Sequence, residues 1–147
     1  MTIRAVLDAP EVNVVIFALL LNYPWEILQA PFYEGMMGST HWDAVKVCSM
    51  ATLGDGVIAL VSFWTVAAFA RSRRWILDPS VGQLIGFIAA GVGVTAAIEL
   101  LATGPLDRWT YADTMPVVLG VALAPLLQWL VLPPLLVWFV RRQLGAR

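Results

Sequence analysis

Three polar side chains inside an otherwise apolar run are the residues best placed to do chemistry. They are Asn22, Glu26 and Gln29 of the stretch Leu21-Asn22-Tyr23-Pro24-Trp25-Glu26-Ile27-Leu28-Gln29-Ala30-Pro31. Spacings of four and three put them on one face of a helix. Two further acids, Asp55 and Glu99, stand alone in other apolar runs, and Gln128 interrupts a fourth. Burial without a counter-charge favours the neutral carboxyl, the form a general acid needs, and a second carboxylate nearby suits a base or a cation stabiliser. Glu26, Asp55 and Glu99 are therefore the expected catalytic residues. Asn22, Gln29 and Gln128 are expected to orient a substrate, and Trp25, Trp109, Tyr111 and Tyr23 to supply aromatic walls for developing positive charge.

These residues must be positioned by elements that cross a membrane. The chain has 147 residues, 60% of them hydrophobic, and a mean hydropathy of +0.79, more apolar surface than a soluble fold of this size could bury. Continuous apolar runs near 12–33, 47–70, 81–103 and 116–140 each reach the about 20 residues a spanning helix needs. They do not alternate with period two, which excludes a transmembrane barrel. The expected architecture is an all-α, polytopic bundle of four helices forming a single domain over 1–147.

Arg4, Arg71, Arg73, Arg74, Arg141, Arg142 and Arg147 all fall on one side of four spans, and only Lys46 and Arg108 on the other. The excess predicts both termini and the second connection in the cytoplasm of a bacterial-type cell membrane. The start is read as a retained helix, because no small-x-small cleavage site follows the first apolar run. At 1.5 Å per residue, Glu26 would lie roughly 21 Å, Asp55 roughly 22 Å, Glu99 roughly 27 Å and Gln128 roughly 18 Å from the cytoplasmic boundary. Across a core of about 30 Å, every span then places a polar group in the outer half. The site is expected as an apolar pocket open to the non-cytoplasmic side. An ionised carboxylate at such depth costs about 2.5–3.5 kcal/mol on insertion scales, so all three acids must face the bundle or a wet cavity.

Within the spans, Cys48, Thr52, Asp55, Ala59 and Ser62 form a narrow small-and-polar stripe. Gly82-x-x-x-Gly86 fits close helix packing. Pro24 is expected to kink the first helix, and Pro116, Pro125, Pro133 and Pro134 to bend the last. Lone Cys48 excludes an internal disulfide, and the absence of a helical His disfavours haem.

A second reading uses the same carboxylates without catalysis, in a binding or transport subunit for a cation, a proton, a pigment, a quinone or a partner protein. There a divalent metal would be held by His41 with Glu26, Asp55 and Glu99; the leading reading needs no cofactor. Expected partners are the bilayer, a lipophilic small molecule, and a second copy or membrane subunit; nucleic acid is not one. A purely adhesive cluster could be built from Asn22, Gln29 and Gln128 alone.

Asn22-Tyr23-Pro24-Trp25-Glu26, followed by Pro31, resembles the Asn-x-x-Trp-Glu stretch of the integral-membrane terpene cyclases of fungal meroterpenoid and indole-diterpene pathways. That resemblance implies that Glu26 protonates an isoprenoid epoxide, with Asn22 its neighbour. Trp109-x-Tyr111, followed by Gly120 and Pro125, is faintly similar to a stretch in membrane lycopene cyclases. The likeness covers about a tenth of the chain, and the fungal enzymes have seven predicted spans where this chain has four.

Overall fold

A computed structural model describes residues 6–145. Arg4 and Arg147, which count toward the charge bias, lie outside the described residues. Four helices are long and apolar enough to cross a membrane: α1 (Pro10–Gln29), α2 (His41–Ala70), α3 (Val81–Thr103) and α4 (Leu123–Gly145). Each packs against its neighbours in sequence, and α4 closes the ring on α1. The contacts Gly56–Leu19 and Cys48–Glu26 run in opposite directions along α1 and α2, as an up-and-down bundle requires.

Local sequence sets the ends. Pro10 occupies the first turn of α1, where its missing N–H is harmless. Thr40 caps α2 by accepting from the Asp43 amide at 3.2 Å. Ser80 and Gln83 form a reciprocal capping box at the start of α3, each side chain accepting from the other's backbone N–H. Arg71 ends α2 in the left-handed region (φ 50°).

The spans differ from the sequence reading at five ends: α1 runs from Pro10 to Gln29 and not from 12 to 33, α4 ends at Gly145 and not at 140, and the starts of α2 and α4 move further. Helix α2 begins six residues earlier than expected, at His41, because the Thr40 cap comes before the polar segment His41-Trp42-Asp43 and not after it. The fourth span begins at Leu123 and not near 116, because Val117–Val118 (β1) and Val121–Ala122 (β2) pair as a short hairpin. Its turn residues Leu119 (φ 51°) and Gly120 (φ 82°) both take positive φ, the geometry of a tight two-residue hairpin turn. Helical conformation runs through Pro24, Pro133 and Pro134, so none of them breaks its span.

The core between the helices is aromatic as well as aliphatic. Phe63, Trp75, Phe87 and Trp129 form a chain of ring contacts at centroid distances of 5.7–6.3 Å. Trp75 also donates its indole N–H to the Phe63 carbonyl at 3.3 Å. The glycine packed most tightly is Gly91, not Gly82 or Gly86. A Cβ on Gly91 would lie 1.9 Å from Trp129 Cε3, whereas one on Gly86 would meet Val66 at an ordinary 3.7 Å. Gly82 meets only the Ser80 hydroxyl at 4.0 Å and packs against no other helix.

Candidate functional site: a buried carboxyl pair beneath a tyrosine-latched lid

Helices α1, α2 and α4 bring Asn22, Glu26, Asp55 and Gln128 together. Gln128 is 2% exposed, and its amide nitrogen reaches three acceptors: Asn22 Oδ1 at 2.6 Å, Asp55 Oδ2 at 2.9 Å and Glu26 Oε1 at 3.4 Å. An amide NH2 has two hydrogens, so the third acceptor is only shared. The Asn22 amide donates to the Ala18 carbonyl one turn back (2.7 Å), which leaves its oxygen aimed at Gln128. Gln29 donates to Glu26 Oε1 at 2.6 Å and accepts from the Trp25 indole at 3.2 Å. The carboxyls of Glu26 and Asp55 also lie within hydrogen-bonding reach of each other. Two carboxyls bond directly only when one carries a proton.

No basic residue enters this cluster among the described ones. Lys46 is exposed and pairs with Asp43 at 2.7 Å, and Arg108 is exposed in the connection after α3. His41 stands exposed at the first turn of α2, its ring against Trp42. It is not brought to Glu26, Asp55 and Glu99, because α2 starts with it at the bundle end while Asp55 lies nearly four turns deeper. Among the described residues no three His, Cys, Asp or Glu side chains are arranged to hold a metal ion.

Glu99 forms a second cluster toward the same end of the bundle. Its carboxylate accepts from the Tyr111 hydroxyl at 2.5 Å, the Trp109 indole at 3.4 Å and, at the limit, the Tyr33 hydroxyl at 3.5 Å. Tyr111 accepts in turn from the Ala122 amide at 3.3 Å. Burial first, then the hydrogen bond to Glu99, pushes the Tyr111 phenol up to about 12, and burial raises the Tyr33 phenol further. Both therefore stay neutral donors at any ordinary pH.

Those aromatic residues come from two loops that pair across the end of the bundle. Tyr33 and Tyr111 form an antiparallel backbone bridge, flanked by Glu34 N–H to Thr110 O (3.0 Å) and Ala112 N–H to Phe32 O (2.9 Å). Thr110 also donates its hydroxyl to Glu34 at 2.6 Å. This paired segment is a lid over the end where the sequence reading expects an open pocket.

The structure thus joins two of the three acids directly and holds the third above them. All three are buried: Glu26 is 8%, Asp55 9% and Glu99 6% exposed. Trp25 adjoins the pair through Gln29, and Trp109 and Tyr111 belong to the Glu99 cluster, so the expected substrate walls divide between two places. Tyr33 was not legible as a site residue. Only its position just past Pro31 hinted that the chain turns back there. Ser62, Thr95 and Trp129 have buried polar atoms without a hydrogen-bond partner among the described residues.

These features define a four-helix membrane protein with a carboxyl pair in its core that meets no basic side chain among the described residues. No family model, curated protein or solved structure matches the chain significantly, so the cyclase likeness rests on its own short motif.

Proposed function

We propose that this chain is a membrane-embedded acid–base enzyme acting on a lipophilic substrate. The observation that carries the reading is the meeting of Glu26 and Asp55 on the single amide of Gln128, with Gln29 on the same Glu26 oxygen and no basic side chain in reach among the described residues. Adhesion would not need it: Asn22 and Gln128 already join α1 to α4 by a neutral hydrogen bond. Buried ionisable groups at membrane depth are expensive, and their use is ordinarily functional.

In this reading Glu26 delivers a proton to an electron-rich carbon or oxygen of the substrate. Asp55 accepts a proton from the product side or balances the cation formed, and Gln128 fixes the angle between them. Glu99, held by neutral aromatic donors, stands beneath the lid. Isoprenoid polyenes and epoxides are the substrate class that the Asn-x-x-Trp-Glu likeness favours, in a cyclisation or isomerisation. The arginine bias supports a reading in which the lid lies on the non-cytoplasmic face of a cell membrane.

The test is turnover in proteoliposomes supplied with isoprenoid polyenes and their epoxides, read by mass spectrometry. Wild type should form a cyclised or isomerised product. Glu26→Gln and Asp55→Asn should lose it while keeping helicity and monodispersity. Equal turnover in Glu26→Gln would remove that residue from the mechanism.

A further inference from the structure

A groove of about 430 Å³ opens on the lipid-facing side between α1 and α2, lined by Leu19, Leu20, Tyr23, Pro24, Ser49, Thr52 and Leu53. Its volume falls in the range of about 300–1,000 Å³ typical of small-molecule sites. Because α1 and α2 are antiparallel, its polar groups gather at one end. Tyr23, Ser49 and Thr52 lie toward the lid, and Leu19, Leu20 and Leu53 toward the arginine end. The Thr52 hydroxyl donates to the Cys48 carbonyl at 2.7 Å. The Tyr23 and Ser49 hydroxyls donate to no described residue. Pro24 has no N–H to give the Leu20 carbonyl one turn back, so an acceptor on a residue that lines the groove lacks its usual helical donor. Polar backbone facing hydrocarbon needs a partner.

We infer that this groove binds the hydroxyl end of a single-chain lipophilic alcohol. The alcohol donates to the Leu20 carbonyl and accepts from Tyr23 or Ser49, while its first carbons lie over Leu19, Leu20 and Leu53. From Leu19 to Pro24 the groove runs about 7.5 Å along α1, enough for a head group and the first few carbons of a chain laid along it. Its wall residue Thr52 lies one turn from Asp55 on α2, so the bound head group sits beside the carboxyl pair. The site stands on these groove residues and does not depend on the enzymatic reading.

The experiment uses the full chain in phosphatidylcholine liposomes with hexadecanol carrying a diazirine next to its hydroxyl end. Irradiation and peptide mapping should concentrate label on residues 19–24 and 49–53. The methyl ether of the same probe, which cannot donate, should label there about tenfold less, as should the Tyr23→Phe, Ser49→Ala double variant. Leu20→Trp, which fills the groove without removing a hydroxyl, should block labelling outright. Competition by unlabelled farnesol against unlabelled hexadecanol tells an isoprenoid occupant from a saturated one. Label spread evenly over lipid-facing positions such as Phe69 and Trp138, or equal labelling by the ether, overturns the site. Glu26→Gln should label normally. Groove labelling without turnover by wild type would sink the enzymatic reading alone, and turnover without groove labelling would sink this site alone.

Discussion

Replacing Gln128 by Leu tests whether the amide holds the site together. The two side chains are similar in size, so the cavity contribution is small. What is lost is one NH2 serving Asn22, Asp55 and, by sharing, Glu26. Interhelical hydrogen bonds in membranes average about 0.6 kcal/mol with a maximum near 1.7, which gives about 1–3 kcal/mol for two bonds. Stranding a buried acceptor costs about 1–3 kcal/mol in its own right, and more when it is charged. The expected destabilisation is about 2–4 kcal/mol by equilibrium unfolding in mixed dodecylmaltoside–SDS micelles. Asn22→Leu in the Gln128→Leu background should then cost far less than in wild type, because the partners are coupled. Ser62→Ala is the control: its buried hydroxyl has no partner, so its removal should be neutral or stabilising. A Gln128→Leu protein within about 0.5 kcal/mol of wild type, or strictly additive double-variant effects, would refute the reasoning.

Other consequences are sharp enough to measure. Gly91→Ala drives a methyl into the Trp129 ring next to Gln128; overpacking of about 1–3 kcal/mol or more should lower the thermal midpoint in detergent, and Gly93→Ala, with open space at its Cβ, should not. The Tyr111 phenol titrates near 10.0 when unperturbed and near 12 when folded. Between those values the unfolded chain holds fewer protons than the folded one, so stability should fall as pH rises from about 10 to about 12. Tyr111→Phe should flatten that slope, and a slope unchanged in the variant would detach Tyr111 from Glu99. Trp75→Phe keeps the ring chain but loses the bond to the Phe63 carbonyl, and should cost about 1 kcal/mol in the same unfolding assay.

Much of the architecture was readable because membrane insertion leaves few options. Length and apolarity alone located α3 to the residue, and the stripe Cys48, Thr52, Asp55, Ala59, Ser62 faces the bundle interior as its spacing required. The meeting of Asn22, Asp55 and Gln128 followed from depth, since antiparallel spans bring groups at equal height together. The start of α4 was misread because hydropathy does not separate an apolar hairpin from an apolar helix; the signal was Gly120 beside Leu119, a turn chemistry hidden inside a hydrophobic run. The lid was invisible for another reason. Pairing of Tyr33 with Tyr111 joins segments 78 residues apart through backbone groups, which leave no side-chain pattern. Gly91 stands among many small residues of α3, and only the position of Trp129 singles it out.

The central claim is proton exchange with a lipid at Glu26 and Asp55. It is tested most directly by placing wild type and Glu26→Gln in proteoliposomes made from isoprenoid-supplemented native lipid, in heavy water, and measuring carbon-bound deuterium in the extracted lipids. Wild type should introduce deuterium at carbon in one lipid class, and both Glu26→Gln and Asp55→Asn should leave that class unlabelled while remaining folded. With wild type, lipids that show neither carbon-bound deuterium nor an opened epoxide, or lipids changed equally by Glu26→Gln, would contradict it.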